Sequence, residues 1–330
     1  MSLSEFSLIK KYFENWEFSH KAEGRLSGIG DDCALMDILP GHQLAVSMDT
    51  LVENVHFPAS ADACLVGYRA LAVNLSDLAA MGARPLSFTL ALTLPKADEP
   101  WLEKFSAGLK SCASVFQCPL IGGDTTKGPL SITIQVHGEV ESGKAITRFK
   151  AKPGDSIYVS GSLGLAAYAL QVIQENRNMS QREQDNAWRD EAFYKPIPRV
   201  ELGLAAAGIA SAGIDISDGL LADLGHICTA SEVGAELLLP SIPIAGLLSE
   251  RLTQTKALAL ALTGGDDYEL LLTVSPDQEP VFLAAAEKME HVVHKIGLIN
   301  DSGIIRCLDA EGKNVEFSGS GYQHFGSVHE

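Results

Sequence analysis

Apolar and polar positions change period several times along the chain, and each change marks an element. Residues 4–14 carry apolar groups at helical spacing, and 44–48 read as a strand. A long helix is expected over 62–81, where apolar residues cover most of the circumference. Residues 86–94 are rich in strand formers, 98–116 return to a helical period, and 130–140 alternate in part like a strand with one wet face. At 149–155 the run Phe-Lys-Ala-Lys-Pro-Gly-Asp breaks the pattern and places a domain junction, dividing the chain into 1–149 and 150–330. Beyond it come a strand at 156–160, a glycine-rich turn at 161–164, a helix at 165–174 and an exposed polar stretch at 176–190. A strand–turn–helix unit over 214–228 and a strand at 268–274 follow, while His291 and His294 read as solvated neighbours on a helix face. The pattern predicts two domains of mixed α/β type.

Composition narrows the partners. The 330 residues are 46% hydrophobic and 20% charged, which suits soluble domains with real cores. With 25 Lys+Arg against 42 Asp+Glu, the net charge of −17 argues against nucleic acid or an anionic membrane, both of which need clustered positive charge. The N-terminus lacks a secretory pattern, no apolar run approaches transmembrane length, and six scattered cysteines need no disulfide. A soluble, cytoplasmic protein is expected.

The acids are unevenly placed. Five stretches set carboxylates beside glycines or inside apolar runs: Gly28-Ile-Gly-Asp-Asp, Ser47-Met-Asp-Thr-Leu-Val-Glu-Asn-Val-His-Phe57, Asn74-Leu-Ser-Asp-Leu-Ala-Ala-Met-Gly82, Gly122-Gly-Asp-Thr-Thr126 and Asp215-Ile-Ser-Asp-Gly-Leu220. Asn74 and Asp77, three apart on an apolar helix, share one face. Either they are buried polar groups that need a partner or a metal, or they sit at a wet helix edge or in a salt bridge to Arg69 or Arg84. Asp49 and Asp124 are expected at strand ends, as ligand-facing groups or as turn formers. Ser217 or Asp218 is expected to cap a helix whose free N–H groups could also face a phosphate. Five such sites without matching basic clusters suggest several hard cations, and Mg²⁺ with a nucleoside triphosphate is the natural pairing. Walker, protein-kinase and Rossmann motifs are absent, as is the serine-hydrolase elbow.

In this order the motifs resemble the thiamine-monophosphate kinase family of the aminoimidazole-ribonucleotide-synthetase-like superfamily. The resemblance runs from Gly28-Ile-Gly-Asp-Asp to Gly264-Gly-Asp-Asp-Tyr-Glu-Leu and Gly321-Tyr-Gln-His-Phe, nearly the whole chain. It implies an N-terminal ATP- and Mg²⁺-binding domain whose strands form a barrel across a homodimer, and a C-terminal α+β domain closing the active site. It implies transfer of phosphate from ATP to thiamine monophosphate, in thiamine diphosphate biosynthesis. By position Asp32, Ser47, Met48, Asp49, Asp77, Asp124, Asp215 and Asp218 would be metal ligands, with Asp49, Asp77 and Asp124 central to catalysis. Gly123, Asp124, Arg148 and Ser217 would contact nucleotide, while His56, Glu269 and Tyr322 would contact the thiamine moiety. Two departures stand out: Asn54 where glycine is usual, and Asp266 where glutamate is expected.

Competing readings are an amidine-forming or selenophosphate-forming sibling, or a non-catalytic Mg–nucleotide sensor. A selenophosphate synthetase would be expected to carry a reactive cysteine in its N-terminal segment, and residues 1–27 contain none. The Gly-rich turn 161–164 could hold nucleotide or serve as a strand-to-helix turn. Tyr322 and Glu269, taken without the resemblance, read as a packing aromatic and a solvent-facing strand residue.

Overall fold

The computed structural model describes residues 5–14, 16, 26, 29, 32–175 and 187–317. They form two compact units, Met1–Leu78 with Ala83–Gly143, and Ala79–Gly82 with Lys144–Glu330. The junction expected near 150 falls at Gly143/Lys144.

The N-terminal unit opens with α1 (Glu5–Ile9), which passes into a π turn at Lys10–Glu14. Its sheet holds β1 (His42–Val52), β2 (Arg84–Leu94), β3 (Leu120–Lys127) and β4 (Ser131–Glu141) in the order β1-β4-β2-β3. All neighbours are antiparallel except β2 and β3. Helices α2 (Ala63–Ala80) and α3 (Glu99–Val115) supply its helical layer. Alternation does the work: Ile132, Ile134 and Val136 of β4 and Phe88, Leu90 and Leu92 of β2 are buried, as are Leu71, Leu75 and Leu78 of α2. Asp98 caps α3 by accepting from Trp101 N–H at 3.3 Å.

Two strands outrun their sequence patterns. β1 continues through Asp49 to Val52 because β4 pairs with it residue by residue as far as Ser131. β3 continues through Gly122-Gly-Asp-Thr-Thr because β2 supplies a ladder from Phe88 to Leu94. Asp49 and Asp124 therefore lie within strands, not at strand ends.

The C-terminal unit contains a six-stranded mixed sheet of β5 (Ser156–Ser160), β6 (Ala212–Asp215), β7 (Gly234–Leu238), β8 (Leu270–Val274), β9 (Val293–Asn300) and β10 (Ile305–Leu308). Its order is β10-β7-β9-β5-β8-β6, and only β10 and β7 run parallel. The helices are α4 (Leu165–Glu175), α5 (Ala187–Tyr194), α6 (Val200–Ala206), α7 (Leu220–Ser231), α8 (Gly246–Arg251), α9 (Gln254–Thr263) and α10 (Glu279–Lys288). Leu220, Leu224 and Ile227 of α7, with Ala261 and Leu262 of α9, share one core with Val159, Ile214 and Leu271. On the alternate face Tyr158 meets Phe282 of α10 edge-on, ring centroids 5.2 Å apart.

Residues 176–186 of the expected polar stretch lie outside the described residues, and 187–194 form α5. His291 follows α10 and His294 is in β9, so the pair is not a helix face. Among the described residues, no helix is long and apolar enough to cross a membrane.

Candidate active site

In the N-terminal unit, one acid group forms where α2 lies against β1. Ser47 Oγ donates to Asp77 Oδ2 at 2.5 Å, and Asp49 N–H donates to Asn74 Oδ1 at 3.0 Å. Asn74, only 1% exposed, also donates from Nδ2 to Ala70 O at 2.9 Å. The three-residue spacing read from sequence thus aims Asn74 and Asp77 together at β1. Asp49 keeps solvent contact, yet desolvation by surrounding protein raises its carboxyl above the ordinary 3.8. Met48 points away from this group and is 60% exposed. Just beyond β1, Val52 N–H donates to His56 Nδ1 at 2.9 Å, so a neutral His56 carries its proton on Nε2. Asn54 sits at φ +64, where asparagine is the readiest stand-in for glycine.

A second group lies on β3. Asp32, Gly123 and Asp124 line a cavity of about 440 Å³, together with Phe13, Met36, Thr89 and His137. Gly123 is required by close approach: a Cβ there would collide with the Leu90 backbone of β2. His137 shares Nδ1 with Ser87 Oγ at 3.3 Å, and desolvation holds its pKa below 6.5. Gly30 and Asp31 lie outside the described residues.

Sheet order keeps these groups apart. Asp49 pairs with Ile134, Ile134 with Leu90, and Leu90 with Gly123, so both groups stand at one level of the sheet. They occupy its opposite edges, three strand spacings apart, or about 14 Å. Within one chain Asp49 and Asp124 therefore do not stand side by side.

In the C-terminal unit, one end of the six-stranded sheet collects Asp215, the 216–219 turn, Glu269 and Ser160. Asp215 is 5% exposed at the end of β6. Neither Ser217 nor Asp218 caps α7; the cap is Gly219 at φ +114. The N–H groups of Ser217, Asp218 and Gly219 all donate to Asp223 Oδ2, at 3.0, 3.1 and 3.1 Å. Burial and the nearby Asp218 charge push the Asp223 carboxyl up to about 7 against those three donors. Asp218, Asp223 and His226 bring ligand atoms within 4.8 Å of one another. At α4, the 161–164 segment is a strand-to-helix turn whose Gly164 N–H donates to Asp267 Oδ2 at 2.8 Å. Protein carboxylates thus take up N–H groups at both turns that the sequence offered to a phosphate.

Glu269 is buried, not solvent-facing, and is held by Arg199 and Ser160. Asp266, at φ +70, donates its N–H to Ser217 O at 2.8 Å, so the shorter, turn-tolerant acid suits the strained position. Arg148 is exposed, its carbonyl accepting from Ser231 Oγ at 2.7 Å. Tyr322 lies outside the described residues. Sequence reading missed Asp223, Arg199 and His137, and held Asp267 only as part of the motif at 264–270, without a role. Asp223 had one signal, an acid in the first turn of an apolar helix; Arg199 and His137 had none, since their partners come from remote strands.

The chain matches the AIR synthase related protein family models, the N-terminal domain over 30–140 and the C-terminal domain over 152–308. It is 44% identical over 327 residues to thiamine-monophosphate kinase of Salmonella typhimurium, covering 98% of this chain and 99% of that one. It is 35% identical to the Bacillus subtilis kinase, covering 90% of this chain and 93% of that one. Among solved structures, thiamine-monophosphate kinase from Stenotrophomonas maltophilia matches with a TM-score of 0.84 and 42% identity, over 96% of this chain and 99% of that one. AaThiL complexed with AMPPCP and TMP matches with a TM-score of 0.75 and 26% identity, over 98% and 99%.

Proposed function

The chain belongs to the thiamine-monophosphate kinases of the AIR synthase-related family, and we propose that its reaction, ATP with thiamine monophosphate giving ADP and thiamine diphosphate, proceeds by direct in-line transfer. The observation that carries the activity is 44% identity to such a kinase across 98% of this chain. The acceptor is a phosphate monoester with a second pKa of ~6, already anionic at neutral pH, so no side chain need act as general base. The work left to the protein is to bring two polyanions into line.

The acid groups fit Mg²⁺. They offer hard oxygen donors, and the hydrogen bonds from Ser47 to Asp77 and from Asp49 N–H to Asn74 gather those donors where α2 meets β1. Asp32, Ser47, Met48 through its carbonyl, Asp49, Asp77, Asp124, Asp215 and Asp218 are the proposed ligands. Bound Mg²⁺ would offset the charge of the two substrates and of the transferring phosphoryl group. Gly123, Asp124, Arg148 and Ser217 contact the nucleotide, and His56, Glu269 and Tyr322 position the thiamine moiety.

A homodimer completes the site in this reading. Asp49 and Asp124 stand at one level on opposite sheet edges, and a barrel closed with β1 of one protomer beside β3 of its partner would bring them together. The outer face of β1 supports this: Leu44, Val46 and Met48 are 47%, 48% and 60% exposed on an edge strand. Six free cysteines suit a reducing cytoplasm. Incubation with ATP, Mg²⁺ and thiamine monophosphate, followed by chromatography, tests the activity: thiamine diphosphate must appear with ADP. Acid-stable or acyl-phosphate protein trapped from γ-labelled ATP would exclude direct transfer.

A further inference from the structure

The Glu269 side chain is 9% exposed, and Arg199, beside it, is 22%. Glu269 Oε2 accepts from Arg199 Nε at 2.6 Å and from Ser160 Oγ at 2.5 Å, while Oε1 accepts from Arg199 Nη2 at 2.5 Å. Ser160 Oγ in turn accepts from Leu270 N–H at 2.8 Å, which ties the end of β5 to the start of β8. A carboxylate has about four lone-pair positions. Among the described residues three are filled, and the remaining one is on Oε1. Gly161, at φ +58, lies against that oxygen, and a Cβ there would collide with it. The carboxylate is therefore fixed from two sides, by a planar fork and by bare backbone.

Charge decides what such a group can recognise. The formal charges of Arg199 and Glu269 cancel, so the pair is a poor counter-ion for the permanent cation of a thiazolium ring. What it retains is one directed acceptor, suited to a neutral N–H donor, and the aminopyrimidine ring of thiamine carries that donor in its exocyclic amine. We propose that Arg199 is the positioning residue of Glu269, and that the pair selects substrates by the aminopyrimidine amine and not by the thiazolium charge. The inference rests on the kinase reading in which Glu269 meets the thiamine moiety.

The test is steady-state kinetics at saturating ATP and Mg²⁺ with two acceptors, thiamine monophosphate and its 4-oxo analogue, in which a carbonyl replaces the amine. The wild-type chain should favour the amine in kcat/KM. Arg199→Lys keeps the cation and loses the fork; Arg199→Met loses both. In each, KM for thiamine monophosphate should rise about 10- to 100-fold, the scale of a hydrogen bond to a charged group, with kcat changed far less. The preference for amine over carbonyl should fall toward one. Gly161→Ala, which displaces the carboxylate from the other side, should give the same signature, and with Arg199→Lys it decides the matter if Arg199→Met does not fold. Unchanged KM and unchanged preference in Arg199→Lys and Gly161→Ala would overturn the inference while leaving the kinase intact. A wild-type chain that turned over neither acceptor would sink the kinase reading and this inference with it.

Discussion

Replacing Asn74 by leucine removes the link between α2 and the strand that carries Asp49. The side chain is 1% exposed, and leucine keeps its branching while being larger, so no cavity opens. Two hydrogen bonds disappear, from Asp49 N–H at 3.0 Å and to Ala70 O at 2.9 Å. The helix retains Ala70 O as an ordinary i→i+4 acceptor, so that loss is small. Asp49 N–H loses its side-chain partner, at a cost of about 1–3 kcal/mol, partly offset by the apolar surface leucine buries. A net loss of about 1–2 kcal/mol corresponds to a Tm lower by roughly 2–8 °C, measured by thermal unfolding without Mg²⁺. The functional arm is an Mg²⁺ titration of ADP formation: the concentration giving half-maximal rate should rise about tenfold, as when a group supporting a metal ligand is removed. A lower Tm with an unchanged Mg²⁺ requirement would refute the argument, leaving Asn74 a purely structural residue.

Asp77→Asn and Asp124→Asn should each cut turnover by roughly 10³-fold, the loss of several kcal/mol of charge stabilisation, with circular dichroism unchanged; near-normal turnover in either removes that residue from the site. Val46→Lys places a charge on the exposed outer face of β1 and should convert a dimer into monomers on light scattering, with activity lost. Asp267 is half-buried, and desolvation first, then the charges of Glu269 and Asp266, hold its carboxyl well above 3.8 in the fold despite N–H groups from Gly164 and Ala166. The native state thus binds this proton more tightly than the unfolded chain, so the contribution is whole below about pH 3.8 and declines as pH rises through the raised pKa. Asp267→Asn escapes that decline, so its Tm advantage over the wild-type chain should widen from pH 5 to pH 8; a constant difference would contradict the assignment.

Much of the fold was legible because its signals are local. The 62–81 period gives α2 within a residue or two, and the alternation over 130–140 gives β4. Strand lengths were not legible, because a glycine pair such as Gly122-Gly123 reads as a break until β2 supplies a ladder beside it. After Val274 the periodicity is weak, and the helix face read from His291 and His294 fails because β9 and β10 are defined by pairing with β5 and β7. At the site, the motif acids were visible one by one, and Asn74 with Asp77 even as a pair. Their grouping was not, since it depends on strand order: a sequence does not say that Asp49 and Asp124 stand three strands apart at one level. Capping was misread for a related reason. Asp223, four residues beyond Gly219, and not Ser217 or Asp218, gathers the N–H groups of the turn before α7, and Asp267, on a remote loop, takes that of Gly164 before α4.

Subunit complementation tests most directly whether acids from two chains build one site. Asp49→Asn and Asp124→Asn proteins, each inactive alone, are mixed, dissociated and reassociated, and thiamine diphosphate formation is measured. If β1 of one protomer meets β3 of the other, every mixed dimer holds one site with both carboxylates intact. Random reassociation should then restore about a quarter of wild-type activity. No recovery in a mixture shown to contain mixed dimers would contradict the shared site and the account built on it.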